Sequence, residues 1–145
     1  AARGYCKHLG WTLPTEQQWE VAARGTSGSD FPWGDEPPTC ELGVFADSAG
    51  PACGSGAPLP VESHPRDRSW IGVRDMGGSV REWTESDYVP YPGGAVEHGA
   101  TGKVNRGGSW IMKGSDANTS HTRVVDAATE TRPDLGFRCA MEMAK

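Results

Sequence analysis

No stretch of this sequence approaches the roughly twenty consecutive apolar residues that a membrane-spanning helix needs. Basic residues are in the minority: 14 Lys and Arg stand against 19 Asp and Glu, and they form no basic run. That balance argues against a nucleic-acid partner, which would call for a concentrated basic patch. No pair of cysteines has the C-x-x-C spacing, no cysteine and histidine cluster has zinc spacing, and no histidines form H-x-x-x-H. Internal repeats are absent as well. No leader peptide opens the chain, but it begins inside a helical pattern. The missing leader therefore carries no information about export.

What the sequence does have is punctuation. Its 145 residues include 20 glycines and 11 prolines, so much of the chain is expected in loops. Six tryptophans supply large apolar surfaces for a modest core. Four cysteines lie at 6, 40, 53 and 139. Their layout fits two bridges, Cys6–Cys139 and Cys40–Cys53, in an oxidising compartment; the alternative is four free thiols. The bridges would place the protein outside the cell, in a periplasm or on a cell surface.

Two helices are readable. Ala2, Tyr5, Cys6 and Leu9 share one helical face, and Gly10 supplies a stop. In "WTLPTEQQWEVAARG", Thr15 and Gln18 form a capping-box pair and Gly25 follows the last turn. Glu16 and Glu20 near the positive end and Arg24 near the negative end suit the macrodipole. Trp19, Ala22 and Ala23 form the buried stripe, and the segment is expected to be structural. From Thr26 to Arg68 periodicity is weak; Trp33 is expected to anchor an ordered, irregular loop. Short strands are expected at Lys103–Arg106 and Gly136–Met141, where apolar and polar residues alternate.

Five blocks then stand in order: "YCKHLGWTLPTEQQWEVAARG", "PWG", "GVRDMGGSVREW", "NRGGSW" and "LGFRCA". In residues and spacing they resemble the formylglycine-generating enzyme family, or sulfatase-modifying-factor domain. One block alone would be weak, whereas five in sequence are specific. The resemblance implies an α+β fold, loop-rich, with little regular secondary structure and related to C-type lectin-like domains. It implies a single domain over 1–145 that lacks the N-terminal part of the family pattern. Members often carry cysteines at the places of Cys6 and Cys139.

The oxygen-using members hold copper(I) with two cysteines after R-G-G-S, because a soft metal prefers thiolates. Those positions are Met112 and Ala117 in this chain. A thioether and a methyl do not make a two-thiolate site, so no copper is expected; Met112 reads as packing. Ser109 keeps the serine of the block but has no neighbouring base in the sequence to activate it. Related iron-dependent sulfoxide synthases place their iron-binding histidines mainly in another domain. His8, His64, His98 and His121 read here as exposed or packed side chains.

Calcium is a different matter. The family ligands carry over to Asp75 and Glu82 side chains and to the Gly78 and Val80 carbonyls. Oxygen-rich turns of this kind suit a hard cation. The alternative is that both carboxylates cap turns or pair with Arg74 and Arg81. A second family calcium site falls at Val44, which has no side-chain oxygen, so that site is expected to be lost.

The favoured expectation is a noncatalytic member that binds a protein, peptide or glycan. Its candidate surface is Ser109, Lys113, Asp116, Asn118, His121 and Arg123. The competing expectations are a divergent oxidoreductase or a module of a larger enzyme, and a structural subunit of an extracellular assembly.

Overall fold

The structure is a computed structural model, which describes residues 1–92, 101–114 and 120–141. Two helices, α1 (Ala2–His8) and α2 (Glu16–Arg24), precede a long irregular segment. Four strands follow: β1 (Arg81–Asp87), β2 (Lys103–Arg106), β3 (Arg123–Asp126) and β4 (Leu135–Phe137). They form one sheet in the order β3-β2-β1-β4. The β1–β2 and β2–β3 pairs are antiparallel, whereas β1 and β4 run parallel. A register shift between Trp83 and Asp87 interrupts the β1–β2 ladder. This is the loop-rich α+β architecture that the sequence implied. No helix among the described residues is long and apolar enough to cross a membrane.

Helix α2 forms as its sequence specifies. The Thr15 hydroxyl accepts from the Gln18 amide, and the Gln18 side chain accepts from the Thr15 amide. This reciprocal cap satisfies two donors that a helix start otherwise leaves open. Trp19 and Ala23 are fully buried against Met76, with Ala22 packed at their margin. Gly107 follows β2 with φ +83°, and a Cβ there would stand 3.0 Å from the Trp19 ring. The helix therefore fits against the sheet because the residue that follows β2 has no side chain.

Helix α1 departs from its pattern. Of the four residues on its apolar face, only Cys6 is buried, while Tyr5 is 57% and Leu9 45% exposed. Tyr5 instead meets Phe137 edge-on, with centroids 5.6 Å apart. The Cys6–Cys139 bridge holds this helix to the segment after β4, with Cα atoms 5.5 Å apart. Cys40–Cys53 closes the irregular loop, so the structure contains both bridges of the expected layout. Trp33 is half-buried, stacked on Phe31 at 5.2 Å, and its indole donates to the Glu36 carbonyl.

The last strand is shorter than its alternation suggested. Sheet pairing covers Leu135–Phe137, and beyond it, among the described residues, only Ala140 bridges, to Thr12. Arg138 and Cys139, which follow the strand, engage their side chains in an ion pair and a disulfide.

Candidate functional site

Two neighbouring pieces make up the candidate site: the segment after β2, and the turn that leads into β1. The first is held tightly. Arg106 ends β2 with 0% exposure, its guanidinium on the Glu20 carboxylate and 5.9 Å from the centre of the Trp19 ring. Its Nη1 also donates to the His121 and Thr122 carbonyls at 2.8 and 3.0 Å. Arg123 donates twice to Glu16, at 2.9 and 3.1 Å, and lies between the rings of Tyr88 and Tyr91. The two acidic residues of α2 thus do more than complement a helix dipole: they neutralise the buried Arg106 on β2 and the half-buried Arg123 on β3.

The RGGSW block is stitched in from both sides by its backbone. The Trp110 amide donates to Ser79 at 2.8 Å, and its carbonyl accepts from Ala52 at 2.7 Å. The Met112 carbonyl accepts from Ala46 at 2.9 Å. Trp110 is half-buried, its indole donating to Pro133. Ser109 is wholly buried, and its hydroxyl has no partner among the described residues. It is a floor residue and not a surface one, which corrects its place in the expected binding surface. Arg123 is likewise spent on Glu16 and the two rings. Lys113 and His121 do face solvent, and His121 Nδ1 lies 4.0 Å from Asp30. Asp116, Ala117 and Asn118 lie outside the described residues.

The second piece is more open. Asp75 and Ser79 both adopt left-handed conformations, with φ +57° and +63°. Such angles are uncommon for residues with a Cβ and mark local strain. Gly78 between them packs against Val44, whose carbonyl a Cβ would meet at 2.4 Å. Val44 itself is buried and offers only backbone: its carbonyl accepts from Ser79 at 2.8 Å. The turn borders a hollow of about 430 Å³ that Asp75, Val80, Glu82 and Arg138 help to line.

The four oxygens carried over from the family differ in their engagement. The Gly78 and Val80 carbonyls accept no hydrogen bond among the described residues. Asp75 accepts from the Glu62 amide through Oδ2 at 2.7 Å, leaving Oδ1 open. Glu82 is occupied: its Oε2 accepts from the Trp19 indole at 2.7 Å, and Arg138 donates to both its oxygens, at 2.5 and 2.7 Å. Neither Arg74 nor Arg81 takes this role; Arg81 pairs with Asp134. Three of the four oxygens are thus open and of the hard type that calcium takes, but among the described residues no three His, Cys, Asp or Glu side chains come together as a metal site.

Two residues of this turn escaped the sequence reading. Arg138 lies in the G-F-R block, where it could have been sought as a partner for Glu82. Burial opposes its charge, but Glu82, with Asp67 and Asp75 nearby, holds its pKa above the ordinary arginine value. Asp67 is 2% exposed and receives the Gly77 amide on its carboxylate at 3.1 Å. Burial raises its pKa from 3.8 to about 7, against the lowering effect of that amide. No spacing in the sequence ties Asp67 to the turn. A separate cavity of about 630 Å³ beside β1 and β4 contains none of the expected site residues.

Residues 1–143 match the family model of the sulfatase-modifying factor enzyme 1-like domain. The chain is 36% identical over 149 residues to the inactive C-alpha-formylglycine-generating enzyme 2 of Mus musculus, covering 96% of this chain and 46% of that protein. It is 34% identical to a hercynine oxygenase of Mycolicibacterium thermoresistibile, covering 83% of this chain and 30% of the oxygenase. Among solved structures, Treponema denticola variable protein 1 superposes with a TM-score of 0.71 at 25% identity, over 88% of this chain and 46% of that one. The chain therefore spans about half the length of the mouse relative or less of the others it resembles. From the five sequence blocks, the sheet they build and the match over 1–143, the chain belongs to the sulfatase-modifying factor, or formylglycine-generating enzyme, family.

Proposed function

We propose that this chain is a noncatalytic formylglycine-generating-enzyme-like domain that binds a protein, peptide or glycan. The observation that carries this reading is the loss of both thiol positions. Met112 is half-buried with its backbone tied to Ala46, and the other position is Ala117. A thioether and a methyl cannot supply the thiolate pair that copper(I) chemistry needs. Ser109 gives no substitute nucleophile, since its buried hydroxyl has no base beside it among the described residues. The inactive mouse relative supports the same reading.

Binding would fall to the solvent-facing side of this segment, where Lys113 and His121 are exposed. Asp116 and Asn118 belong to the same proposed surface by sequence. Polar loop residues on a rigid floor are common recognition elements. The two disulfides are compatible with an exported protein, and we place it outside the cell, in a periplasm or on a cell surface. At the turn, Asp75, the Gly78 and Val80 carbonyls and Glu82 would hold calcium, which would supply charge neutralisation and rigidity.

A second reading has its own support. The likeness to the hercynine oxygenase, of which this chain covers 30%, suits a module within a larger enzyme. One assay addresses the catalytic question for this chain. The purified protein is incubated with copper, oxygen and a sulfatase-type cysteine peptide, and the aldehyde is measured by mass spectrometry against an active family member. No aldehyde is expected. Copper-dependent turnover would contradict the noncatalytic reading.

A further inference from the structure

The cavity of about 630 Å³ lies on the face of the sheet that turns away from α2. Side chains alternate along β1, so Trp83 points opposite to Glu82, which meets Trp19 of α2. Trp83 and Phe137 are register partners in the parallel β1–β4 pair and stand on one face, with Leu135 two residues back on the same face. Leu13 extends this apolar wall. The volume is that of a small-ligand site, which is mostly apolar with a few polar groups to orient its occupant. Trp83 is half-buried. Trp19 has the Arg106 guanidinium near its ring, whereas among the described residues no cation or second ring lies against that of Trp83.

Four charged side chains border the hollow, and three are spent within the protein. Arg3 pairs with Glu85 at 2.7 Å, Lys103 with Asp87 at 2.8 Å, and Arg132 with Asp126. Each of these cations has its own anion. The fourth is Glu130, half-buried in a turn where its amide donates to the Ala127 carbonyl at 2.8 Å. Its carboxylate has no ion pair or hydrogen bond among the described residues. An unspent anion and an open aromatic ring in one apolar hollow both attract a cation, the first by its charge and the second by its quadrupole. An anionic ligand would instead be repelled by Glu130.

We propose that this hollow binds a small organic amine, an ammonium group on an apolar or aromatic body, with Glu130 as counter-ion and Trp83 as platform. The site shares no residue with the binding surface or the calcium ligands proposed above, so it stands or falls apart from both.

The test titrates the intact chain with phenethylammonium chloride, and in parallel with its neutral and anionic counterparts, phenethyl alcohol and hydrocinnamate, at equal ionic strength. Nitrogen-15 NMR follows the Trp83 Nε1–H and the Glu130 and Phe137 amides. The amine should shift all three signals saturably and bind about tenfold or more tighter than hydrocinnamate. Glu130→Gln should weaken the amine by about fivefold or more and leave the alcohol unchanged, which loss of structure would not do. Trp83→Leu should weaken amine and alcohol together; should it fail to fold, the ligand series and Glu130→Gln decide. Equal binding of amine and hydrocinnamate would overturn the assignment, and so would amine binding undiminished in Glu130→Gln. Absence of amine binding, or shifts that spare Trp83, Glu130 and Phe137, would overturn it as well.

Discussion

The segment after β2 and the turn before β1 are joined by a hydrogen bond, from Trp110 to Ser79, yet they handle buried polarity in opposite ways. In the first, Arg106 and Arg123 are matched by Glu20 and Glu16, and the backbone is bonded to both neighbours. In the second, among the described residues, Asp67 is buried without a cation in hydrogen-bond contact, two carbonyls accept no hydrogen bond, and two residues are strained. A region whose charges and backbone are paired in this way is a scaffold, even with the Ser109 hydroxyl left unpartnered among the described residues. A region with unspent acceptors and an elevated carboxylate pKa is one that can respond to protons or metal.

The largest predicted effect comes from breaking the paired side. Arg106→Ala would remove a fully buried side chain that also holds Glu20 and the His121 and Thr122 carbonyls, and the cavity and lost hydrogen bonds together should cost about 3–5 kcal/mol in chemical denaturation. A cost below 1 kcal/mol would mean that these pairs do not hold the floor.

Next in size is the pH response of the open side. Because the folded-state pKa of Asp67 is raised, the folded chain binds more protons than the unfolded one between about pH 3.8 and 7. The contribution of Asp67 is fully present below that window and is lost as pH rises through about 7. Its loss should amount to about 2–4 kcal/mol. Asp67→Asn should therefore flatten this part of the stability profile, measured by denaturation from pH 4 to pH 8. An unchanged slope would show that Asp67 is not the titrating group.

How much of this contrast could be read in advance differs between the regions. The cap of α2, the buried Trp19 and the strand Lys103–Arg106 were legible because each follows from local spacing and capping chemistry. Strand β1 was not: its sequence, REWTESD, buries Arg81, Glu82 and Thr84, so polar residues occupy positions that a pattern search reserves for apolar ones. The roles of Glu16, Glu20 and Arg138 depend on partners far away in sequence, such as Arg123 for Glu16, and no local signal reports them. Family resemblance located the turn oxygens, but their engagement by Arg138 and Trp19 is a property of packing.

The smallest predicted effects lie on the exposed rim. Lys113→Ala and His121→Ala should each change stability by less than about 0.5 kcal/mol, since both side chains face solvent. Thermal denaturation checks this, and a larger loss would place them in the scaffold, where they would be poor candidates for recognising a partner.

The contrast between floor and turn is tested most directly by melting the protein in calcium and in chelator, for wild type, Met112→Ala and Asp75→Asn. Calcium binding to the folded state alone raises the melting temperature by mass action. The account predicts a saturable rise in wild type, the same rise in Met112→Ala, and its loss in Asp75→Asn. Superimposable curves for wild type in calcium and chelator, or a rise that survives Asp75→Asn, would contradict it.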